Sequence, residues 1–360
     1  MRHRVPRTLV QVGMTVDSAT SQGAVTVLGA GSWGTALALH AHRRGLPTRL
    51  WARSLEHAEA MQRERANGRY LPQFRLPDDF AVTSDMAAAL AGAGLVIAAI
   101  PSHGMRESMA QVRAVIEARG EAAAPYYLIA SKGVEVDSLR TMIDVLEEEL
   151  PAGHRERIAV LGGPSFAAEV AGGLPTAVVV ASRAPAVAGA IQRLLSGQGL
   201  RVYASDDVLG VELGGAFKNV IALAAGVCDG AGLGQNARAA LITRGLAEIT
   251  RVSLAMGAHP ATLAGLAGLG DLVLTCTGGL SRNRRVGLAL GEGRRLADIL
   301  AEMGMVAEGV KNTLSAHRLA AREGVEMPIT AVMHAILYEG FDVRHAVDAL
   351  MQRDLKPERG

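Results

Sequence analysis

The feature that most constrains the fold is the segment GAGSWG at 29–34, which separates two segments of different periodicity. The apolar run at 24–28 before it has the length of a buried strand, and the segment 35–44 after it predicts a helix that Gly45 ends. A glycine-rich turn between a strand and a helix is typical of the first βα unit of a nucleotide-binding sheet. The segment therefore predicts an α/β fold from the first element onward.

Each glycine of this turn has a separate role in such a fold. Gly29 makes the tight turn, Gly31 lets a pyrophosphate approach the backbone, and Gly34 lets the helix pack closely on the strand. The free N–H groups and the positive end of the helix dipole then face the phosphates. The turn predicts a dinucleotide site, and the alternative interpretation is a glycine-rich turn with no ligand.

Further apolar runs continue the strand pattern as far as about residue 205. They lie at 48–52, 95–100, 127–130, 158–161 and 177–180, with helical segments such as 140–150 and 185–195 between them. Strands that alternate with helices predict βαβ units and a parallel sheet. The N-terminal part, 23–205, is therefore expected to be a Rossmann-type dinucleotide-binding domain.

After residue 206 the pattern changes to helices alone. Helical segments are predicted at 208–225, 237–256, 295–303, 310–323 and 329–337. We find no convincing strand among them, so the predicted fold class is α/β with an all-helical domain at 206–345 after the sheet domain. The segment 346–360 is predicted as a C-terminal tail, and 1–22 as a disordered tail or the product of a start codon placed too early.

The composition excludes several classes of protein. The 360 residues include 37 Lys and Arg against 35 Asp and Glu, without the concentrated basic excess of a nucleic-acid or anionic-membrane binder. Cys228 and Cys276 form no CxxC pattern, which indicates no disulfide framework, no zinc site and a reducing compartment. The longest apolar runs, such as 94–101 and 176–181, are far shorter than the roughly 20 residues of a membrane span.

The residues after the second predicted strand bear on the choice of dinucleotide. NAD-binding chains usually carry an acid about 20 residues after the glycine turn, where it binds the ribose hydroxyl. Here the segment RLWAR at 49–53 has no acid, and Arg53 is well placed to meet a 2′-phosphate. This pattern favours acceptance of NADP without excluding NAD, and the alternative is a solvated arginine at a strand end.

Lysine is rare in this chain, which uses arginine for almost all of its positive charge. The only lysines are Lys132, Lys218, Lys311 and Lys356. Lys218 lies in the apolar helical segment that opens the second domain, where burial is costly unless the ammonium is paired or functional. Burial lowers the pKa of a lysine, as a general base near neutral pH requires. Lys218 is therefore the candidate proton acceptor, and the alternative is a lysine that extends to solvent.

Two further segments supply groups that suit a phosphorylated substrate. Asp271 follows a glycine-rich stretch and can hold the Lys218 ammonium or a substrate hydroxyl, or simply cap a helix. The residues Ser281, Arg282 and Asn283 open another helical run, and a helix start with an arginine beside it is suited to binding phosphate. The alternative for this second segment is a capped helix with surface arginines.

Together these motifs closely resemble those of the bacterial type of NAD(P)-dependent glycerol-3-phosphate dehydrogenase. The resemblance runs in order from about residue 24 to about residue 339 and rests on GAGSWGTA from 29, SKG from 131, GPSFA from 163, ELGGAFKN from 212, GLGD from 268, SRN from 281 and VAEG from 306. It implies a cytoplasmic, commonly dimeric enzyme that interconverts sn-glycerol 3-phosphate and dihydroxyacetone phosphate and feeds phospholipid synthesis. Family members usually begin near the first strand, so 1–22 departs from the pattern.

The resemblance also assigns residues to each part of the site. Lys218 falls at the family's proton acceptor. The positions that hold glycerol 3-phosphate in the family are Lys132, Gly163, Ser165, Asp271, Ser281, Arg282 and Asn283. The positions that hold the dinucleotide, besides the three glycines of the turn, are Ser32, Trp33, Arg53, Lys132, Ala167, Arg282, Val306 and Glu308. The family's site implies no metal.

The predicted reaction is hydride transfer between the second carbon of the substrate and NAD(P). Neutral Lys218 takes the hydroxyl proton, Lys132 adds positive charge and Asp271 orients the pair. Two alternatives remain open: a related dehydrogenase of a 3-hydroxy acid or a ketopantoate-like compound, and a sensor that binds NAD(P)H without turnover. Lys218 and Asp271 argue against the sensor, because a sensor needs neither.

Overall fold

The apolar runs of the N-terminal part form strands because aliphatic and β-branched residues pack well on a sheet that is buried on both faces. The computed structural model describes residues 23–120, 124–197, 199–303, 307–355 and 357, so the predicted tail at 1–22 lies outside the described residues. The strands are β1 (Ala24–Leu28), β2 (Thr48–Trp51), β3 (Ala66–Asn67), β4 (Leu71–Arg75), β5 (Ala81–Thr83), β6 (Ala93–Ala98), β7 (Tyr126–Ile129), β8 (Ile158–Gly162), β9 (Thr176–Ala181) and β10 (Leu200–Ser205).

Eight of these strands form one twisted sheet in the order β10-β9-β8-β7-β6-β1-β2-β5, and β3 pairs with β4 in a separate hairpin. The chain leaves β1 toward β2 and β5 on one side, then returns to β6 and continues toward β7 on the other. The strand order therefore reverses between β1 and β6, and ligands of such sheets bind at the carboxyl ends of the strands beside that point.

The sheet is parallel, as predicted, except between β8 and β9, which pair antiparallel with Leu161 opposite Val180. A parallel neighbour needs a crossover that carries the chain back along the sheet. The connection 163–175 contains only a five-residue helix, so it stays at the carboxyl edge where β8 ends. As a consequence, Gly163 and Ser165 are held at the edge that carries the glycine-rich turn.

The helices of the first part cover both faces of the sheet. They are α1 (Ser32–Arg43), α2 (Leu55–Glu64), α3 (Met86–Leu90), α4 (Met105–Arg119), α5 (Met142–Glu149), α6 (Ala152–Arg155), α7 (Ala167–Ala171) and α8 (Pro185–Leu195). Neighbouring side chains of one strand enter different apolar cores, since strand side chains alternate between faces. In β1, Val27 packs in the core on one face and Leu28 in the core on the other.

The second part is helical, as predicted, and no strand follows Ser205 within the described residues. Its helices are α9 (Val208–Gly230), α10 (Gly234–Ala255), α11 (Pro260–Ala264), α12 (Asp271–Thr277), α13 (Arg282–Gly291), α14 (Leu296–Met303), α15 (Glu308–Glu323), α16 (Pro328–Tyr338) and α17 (Ala346–Met351). A π-helical turn, Leu266–Gly270, leads directly into α12. The range predicted as a C-terminal tail, 346–360, therefore begins with a short helix.

Helix α9 is the centre of the helical part and is buried along nearly its whole length. Among the described residues it is the one helix that is long and apolar enough to cross a membrane, and 94% of that stretch is buried inside the fold. Its continuous apolar character thus arises because neighbouring helices and the strands β8 and β9 pack around it. The two cysteines, Cys228 on α9 and Cys276 on α12, are both free and buried.

Glycines let α9 and α13 approach until their backbones touch. A Cβ atom on Gly226 would lie 2.1 Å from the Arg284 carbonyl oxygen, and one on Gly287 would lie 2.0 Å from the Leu223 carbonyl oxygen. Helices pack at such short separation only where both faces carry small residues. The contact fixes the start of α13, which carries the predicted phosphate-binding residues, against the helix that carries Lys218.

Candidate active site

The predicted site residues of the first part lie at the carboxyl ends of adjacent parallel strands. The glycine turn follows β1 and Lys132 follows β7, and the loop after β6 between them carries Ser102 and His103, which were not predicted from the sequence. Gly163 directly follows β8. Because these strands are neighbours, their loops meet at one edge of the sheet, where the helical part supplies the remaining groups.

The centre of the site is a carboxylate held between two ammonium groups. Asp271, the first residue of α12, is 1% exposed. Its Oδ2 lies 2.7 Å from Nζ of Lys132, and its Oδ1 accepts a hydrogen bond from Nζ of Lys218. Asp271 therefore does not cap the helix. With both lysines protonated, the group carries a net positive charge that suits an anionic substrate.

The carbonyl oxygen of Gly163 extends this cluster toward β8. It accepts from Nζ of Lys132 at 3.3 Å and from the hydroxyl of Ser165 at 3.1 Å. Gly163 has φ +110°, and a Cβ atom there would lie 3.1 Å from Cα of Val178 on the neighbouring strand. Only glycine fits this turn without strain, and the turn aims the carbonyl at Lys132.

Thr275 also belongs to the cluster, although the sequence analysis did not assign it. Its hydroxyl accepts from Nζ of Lys218 at 2.8 Å and donates to the backbone carbonyl of Asp271 at 2.6 Å. Residues four apart on a helix lie on the same face. The spacing between Asp271 and Thr275 was therefore the available signal for this second partner of the lysine.

Burial lowers the pKa of Lys218 from its ordinary value to about 8. The carboxylate of Asp271 opposes this shift, and the ammonium of Lys132 adds to it. A lysine with a pKa near 8 has a substantial neutral fraction around neutral pH, and its ammonium form is still available. The same side chain can thus accept a proton in one direction of a reaction and donate it in the other.

The start of α13 joins the cluster through Asn283 and Asn219. Ser281 is the N-cap of α13, where its hydroxyl accepts from the Arg284 backbone N–H at 3.2 Å. The amide of Asn283 donates to Oδ1 of Asn219 at 2.9 Å, directly beside Lys218, and its oxygen accepts from the Gly309 N–H at 3.0 Å. The cap is confirmed, and the buried Asn283 is engaged by protein atoms on both sides of its amide.

Glu308, the first residue of α15, faces the same region. Burial raises the pKa of its carboxyl, whereas Arg282, a hydrogen bond from the Ser102 backbone and the two site lysines lower it. Arg282 itself is exposed at the start of α13. Glu308 and Arg282 thus lie within electrostatic reach of each other at the rim of the cluster. Val306, predicted beside them, lies outside the described residues.

The glycine turn has the shape that a dinucleotide requires. Gly29 has φ +108°, and a Cβ atom on Gly34 would lie 1.9 Å from the Gly29 carbonyl oxygen, so strand and helix meet closely there. Within the described ranges, a Cβ atom on Gly31 would meet no atom within 4 Å. The first and third glycines are therefore required by packing, and the second leaves open space in front of the N-terminus of α1 for a phosphate.

The residues around the turn connect it to the rest of the site. The hydroxyl of Ser32 donates to the Tyr70 carbonyl at 2.7 Å, and the indole N–H of Trp33 donates to the Ala130 carbonyl at 3.1 Å, two residues before Lys132. The amide of Asn67, on the hairpin β3–β4, donates to the Ala30 carbonyl at 2.9 Å. This hairpin was not predicted from the sequence, because β3 spans only two residues and has no apolar alternation.

Two cationic side chains and a histidine lie near one another at the outer end of this region. Arg53, exposed after β2, and Lys311 on α15 both lower the pKa of His103, after the larger effect of burial on that imidazole. Lys311 therefore joins the site's surroundings, whereas Lys356 lies outside the described residues. Ala167 opens α7 after the Gly163 turn and packs against the core on the α1 side of the sheet.

Comparisons with known proteins agree along nearly the whole chain. Residues 24–188 match the family model described as NAD-dependent glycerol-3-phosphate dehydrogenase N-terminus, and residues 207–348 match its C-terminus counterpart. A curated relative from Geobacter sulfurreducens, glycerol-3-phosphate dehydrogenase (NAD(P)+), is 52% identical over 337 residues, which cover 93% of this chain and 98% of the relative. A relative of the same name from Anaeromyxobacter dehalogenans is 51% identical, with coverages of 92% and 99%.

A solved structure shows the same architecture. The crystal structure of glycerol-3-phosphate dehydrogenase from Coxiella burnetii matches with a TM-score of 0.86 at 43% sequence identity. The match covers 92% of this chain and 99% of that one. Both parts of the fold, the sheet and the helices after it, are therefore shared with that structure.

Proposed function

Since this chain belongs to the NAD-dependent glycerol-3-phosphate dehydrogenase family, we propose that it interconverts sn-glycerol 3-phosphate and dihydroxyacetone phosphate with NAD(P). The observation that carries this proposal is the buried cluster in which Lys132 and Lys218 share the carboxylate of Asp271. A proton-transferring group beside net positive charge suits the oxidation of an alcohol on an anionic substrate.

The dinucleotide fits the turn after β1. Open space at Gly31 and free N–H groups at the start of α1 suit its pyrophosphate, and Arg53 suits the ribose or a 2′-phosphate. Ser32, Trp33, Ala167, Val306 and Glu308 are proposed to complete its contacts. When bound, NAD(P) supplies the hydride acceptor or donor at its nicotinamide ring.

The substrate phosphate is assigned to the start of α13. Arg282 is exposed there beside the Ser281 cap, so its guanidinium can pair with a phosphate while the helix N-terminus faces the same anion. Gly163, Ser165 and Asn283 border the path from this helix start to the lysines. We assign them to positioning the three-carbon backbone.

The proton transfer is assigned to Lys218. In the oxidative direction its neutral amine takes the hydroxyl proton of the second carbon, and in the reductive direction its ammonium returns the proton to that oxygen. Lys132 stabilises negative charge on the oxygen, and Asp271 holds both side chains in place. Because burial sets the pKa of Lys218 at about 8, reduction is expected to be favoured below that pH and oxidation above it.

Dinucleotide binding and substrate binding are assigned to different parts of the fold. We propose 23–205 as the dinucleotide domain and 206–345 as the substrate domain, with 1–22 and 346–360 outside both. The family resemblance further supports a cytoplasmic homodimer that provides glycerol 3-phosphate for phospholipid synthesis. The alternative is a related 3-hydroxy-acid or ketopantoate-type dehydrogenase. In that case Arg282 would pair with the carboxylate of the substrate and not with a phosphate.

The test is spectrophotometric. Purified protein is mixed with dihydroxyacetone phosphate and NADPH, then NADH, and the loss of reduced-dinucleotide absorbance is followed, with unphosphorylated dihydroxyacetone and a panel of small 2-keto and 3-keto acids as controls. Rapid loss that depends on the phosphorylated ketone is expected. Turnover of a keto acid instead would overturn the substrate assignment, and dinucleotide binding without any turnover would indicate a sensor.

A further inference from the structure

Asn312 occupies the junction of the three chain segments that build the catalytic cluster. It lies one turn after Glu308 on α15 and is 1% exposed. Its carboxamide points toward the loop after β7 and toward α9, which carry the two site lysines. Asn312 lies outside the sequence motifs of the site, so its role follows from its contacts alone.

One side-chain amide binds the backbones of both lysine-bearing segments. Nδ2 of Asn312 donates to the carbonyl of Lys132 at 3.3 Å and to the carbonyl of Ala216 at 3.1 Å. Ala216 precedes Lys218 by two residues on α9. An amide nitrogen has two hydrogens, so both are used to tie the loop to the helix.

The two lysines are consequently linked both through their ammonium groups and through the backbone of their segments. Their ammonium groups meet on the carboxylate of Asp271, and their backbones meet on Asn312. The contact between the segments is close, since a Cβ atom on Gly215 would lie 3.4 Å from Cγ of Lys132. This closed loop of contacts leaves little freedom in the separation of the two ammonium groups.

The oxygen of the same amide makes no hydrogen bond within the described part of the chain, so asparagine does not satisfy all of its own polar atoms at this position. Oδ1 of Asn312 is buried and has no hydrogen-bond partner among the described residues, and a Cβ atom on Gly133 would lie 3.1 Å from it. An unsatisfied buried acceptor is unfavourable, so a purely structural position would favour a different side chain. We infer that the two hydrogen bonds donated by Nδ2, to the Lys132 and Ala216 carbonyls, are the reason for an asparagine here.

We propose that Asn312 is a positioning residue for the oxidoreduction: it holds the Lys132 loop against α9 so that Lys132 and Lys218 meet Asp271 at a fixed separation. This inference rests on the proposed function for its catalytic consequence. Its structural consequence, a defined environment for the Lys218 amine, does not depend on any particular substrate.

The charged and titratable groups that face Lys218 make that environment measurable. They are Asp271 and Cys276 from α12, Lys132 from the loop after β7, and Glu308 from α15. Lys132 and burial both lower the proton affinity of Lys218. A looser junction weakens both effects, so the midpoint of Lys218 deprotonation is expected to move to higher pH when Asn312 no longer binds the two segments.

The test replaces Asn312 by a side chain of similar volume that has no donor, Asn312→Leu, and compares it with Thr313→Val. Thr313 is equally buried on α15, but its hydroxyl donates within the helix, to the Gly309 carbonyl at 2.8 Å. Lys218 deprotonation is read by reductive methylation with formaldehyde and a borohydride between about pH 6 and 10, followed by peptide mass spectrometry. This readout needs no turnover.

We expect Asn312→Leu to shift the methylation midpoint of Lys218 upward and to reduce kcat on the order of 10- to 100-fold, as misplacement of a catalytic group does. The pH profile of the rate should shift in the same direction, while the Kd for NADPH stays within about twofold. Thr313→Val should show none of these changes. An Asn312→Leu protein with the wild-type midpoint and pH profile would overturn the proposal.

Two further outcomes are distinguishable. If the wild-type protein turns over no phosphorylated ketone, the proposed function fails, and the methylation midpoints still decide the positioning role. If Asn312→Leu does not fold, Asn312→Ala removes the same two hydrogen bonds without steric conflict and is judged by the same readouts. Failure of both variants to fold would assign Asn312 to the structural framework and overturn the proposal.

Discussion

The sheet part and the helical part contribute to the site by different means. The sheet part offers backbone groups at its carboxyl edge, namely the turn with Gly31 in open space and the Gly163 carbonyl, together with one ammonium group, that of Lys132. The helical part offers buried side chains, above all Lys218 and Asp271. Backbone recognition requires a conformation, which glycine supplies, whereas acid–base chemistry requires a titratable group in a low-dielectric environment, which the packed helices largely enclose here.

The largest effect is expected from removing the buried amine. Lys218→Ala should lower kcat on the order of 1000-fold, because general acid–base catalysis typically contributes between about 10²- and 10⁴-fold. Dinucleotide affinity should stay within about twofold, since the turn after β1 is untouched. Stopped-flow turnover and NADPH fluorescence titration measure the two quantities. Lys132→Ala is the comparison, because it removes charge but not the proton acceptor, and a larger loss there than at Lys218 would reverse the two roles.

Alanine variants of two glycines in the turn after β1 distinguish the effect of packing from the effect of ligand binding. Gly34→Ala places a methyl group 1.9 Å from the Gly29 carbonyl oxygen, so it should destabilise the fold, typically by about 1–3 kcal/mol, and weaken dinucleotide binding. Gly31→Ala meets no protein atom within 4 Å, so its thermal unfolding should match the wild type. Its dinucleotide affinity should nevertheless fall about tenfold or more, because the methyl group lies in the space assigned to the pyrophosphate.

Calorimetry measures the thermal unfolding of these two alanine variants, and fluorescence titration measures their dinucleotide affinity. An unchanged affinity in Gly31→Ala would show that the open space does not receive a phosphate. An equal loss of stability in both variants would show that the turn is maintained by packing alone.

The two parts also differ in how much of them the sequence predicts. Six of the eight strands of the sheet, and long helices such as α9 and α15, were predicted because apolar periodicity is a local signal. Strands β5 and β10 were not predicted. The antiparallel pair β8–β9 was missed, because strand direction depends on where the connection 163–175 packs. The hairpin β3–β4 was missed because β3 spans only two residues and β4, with the sequence LPQFR, has no apolar alternation.

For the site, sequence motifs identified residue types but not their partners. Asp271 was predicted either to hold Lys218 or to cap a helix, and the structure places it between two lysines. Thr275 and Asn312 were missed, because what matters is the atom that each one faces across the fold. Contacts between segments more than 50 residues apart cannot be read from periodicity in a single chain.

A smaller effect is expected at the outer end of the dinucleotide site. Arg53→Ala should weaken NADPH binding about tenfold and leave NADH binding within about twofold, because a charge-assisted hydrogen bond to a 2′-phosphate is lost only with NADPH. Arg63→Ala, an exposed arginine paired with Glu64, is the control. Equal losses for both dinucleotides would assign Arg53 to the shared pyrophosphate or ribose instead.

The junction between the two parts contains a buried carboxyl whose removal should affect turnover least. Glu212 on α9 accepts from the Ile143 backbone N–H at 2.9 Å and so binds the start of α5, a helix of the sheet part. Its second oxygen is buried, and no residue in the described part of the chain hydrogen-bonds to it. Burial raises the pKa of this carboxyl from its ordinary 4.5 to about 8.

Glu212→Gln is expected to change how stability depends on pH while leaving kcat near neutral pH within about twofold. The folded-state pKa lies above the unfolded value, so the folded wild type binds an extra proton between 4.5 and about 8 and loses stability as pH rises through that interval. The loss amounts to at most roughly 5 kcal/mol, and the neutral amide does not undergo it. Urea unfolding at several pH values should therefore show a shallower slope for the variant.

Glu248→Gln is the matched control, because Glu248 is equally buried but joins α10 to α16 inside the helical part alone. Burial raises its pKa only to about 7, so its contribution to the slope should end about one pH unit lower. If Glu212→Gln loses stability at every pH by the same amount, the carboxyl is ionised in the folded protein. The junction would then be held by a hydrogen bond from the Ile143 N–H to a charged carboxylate.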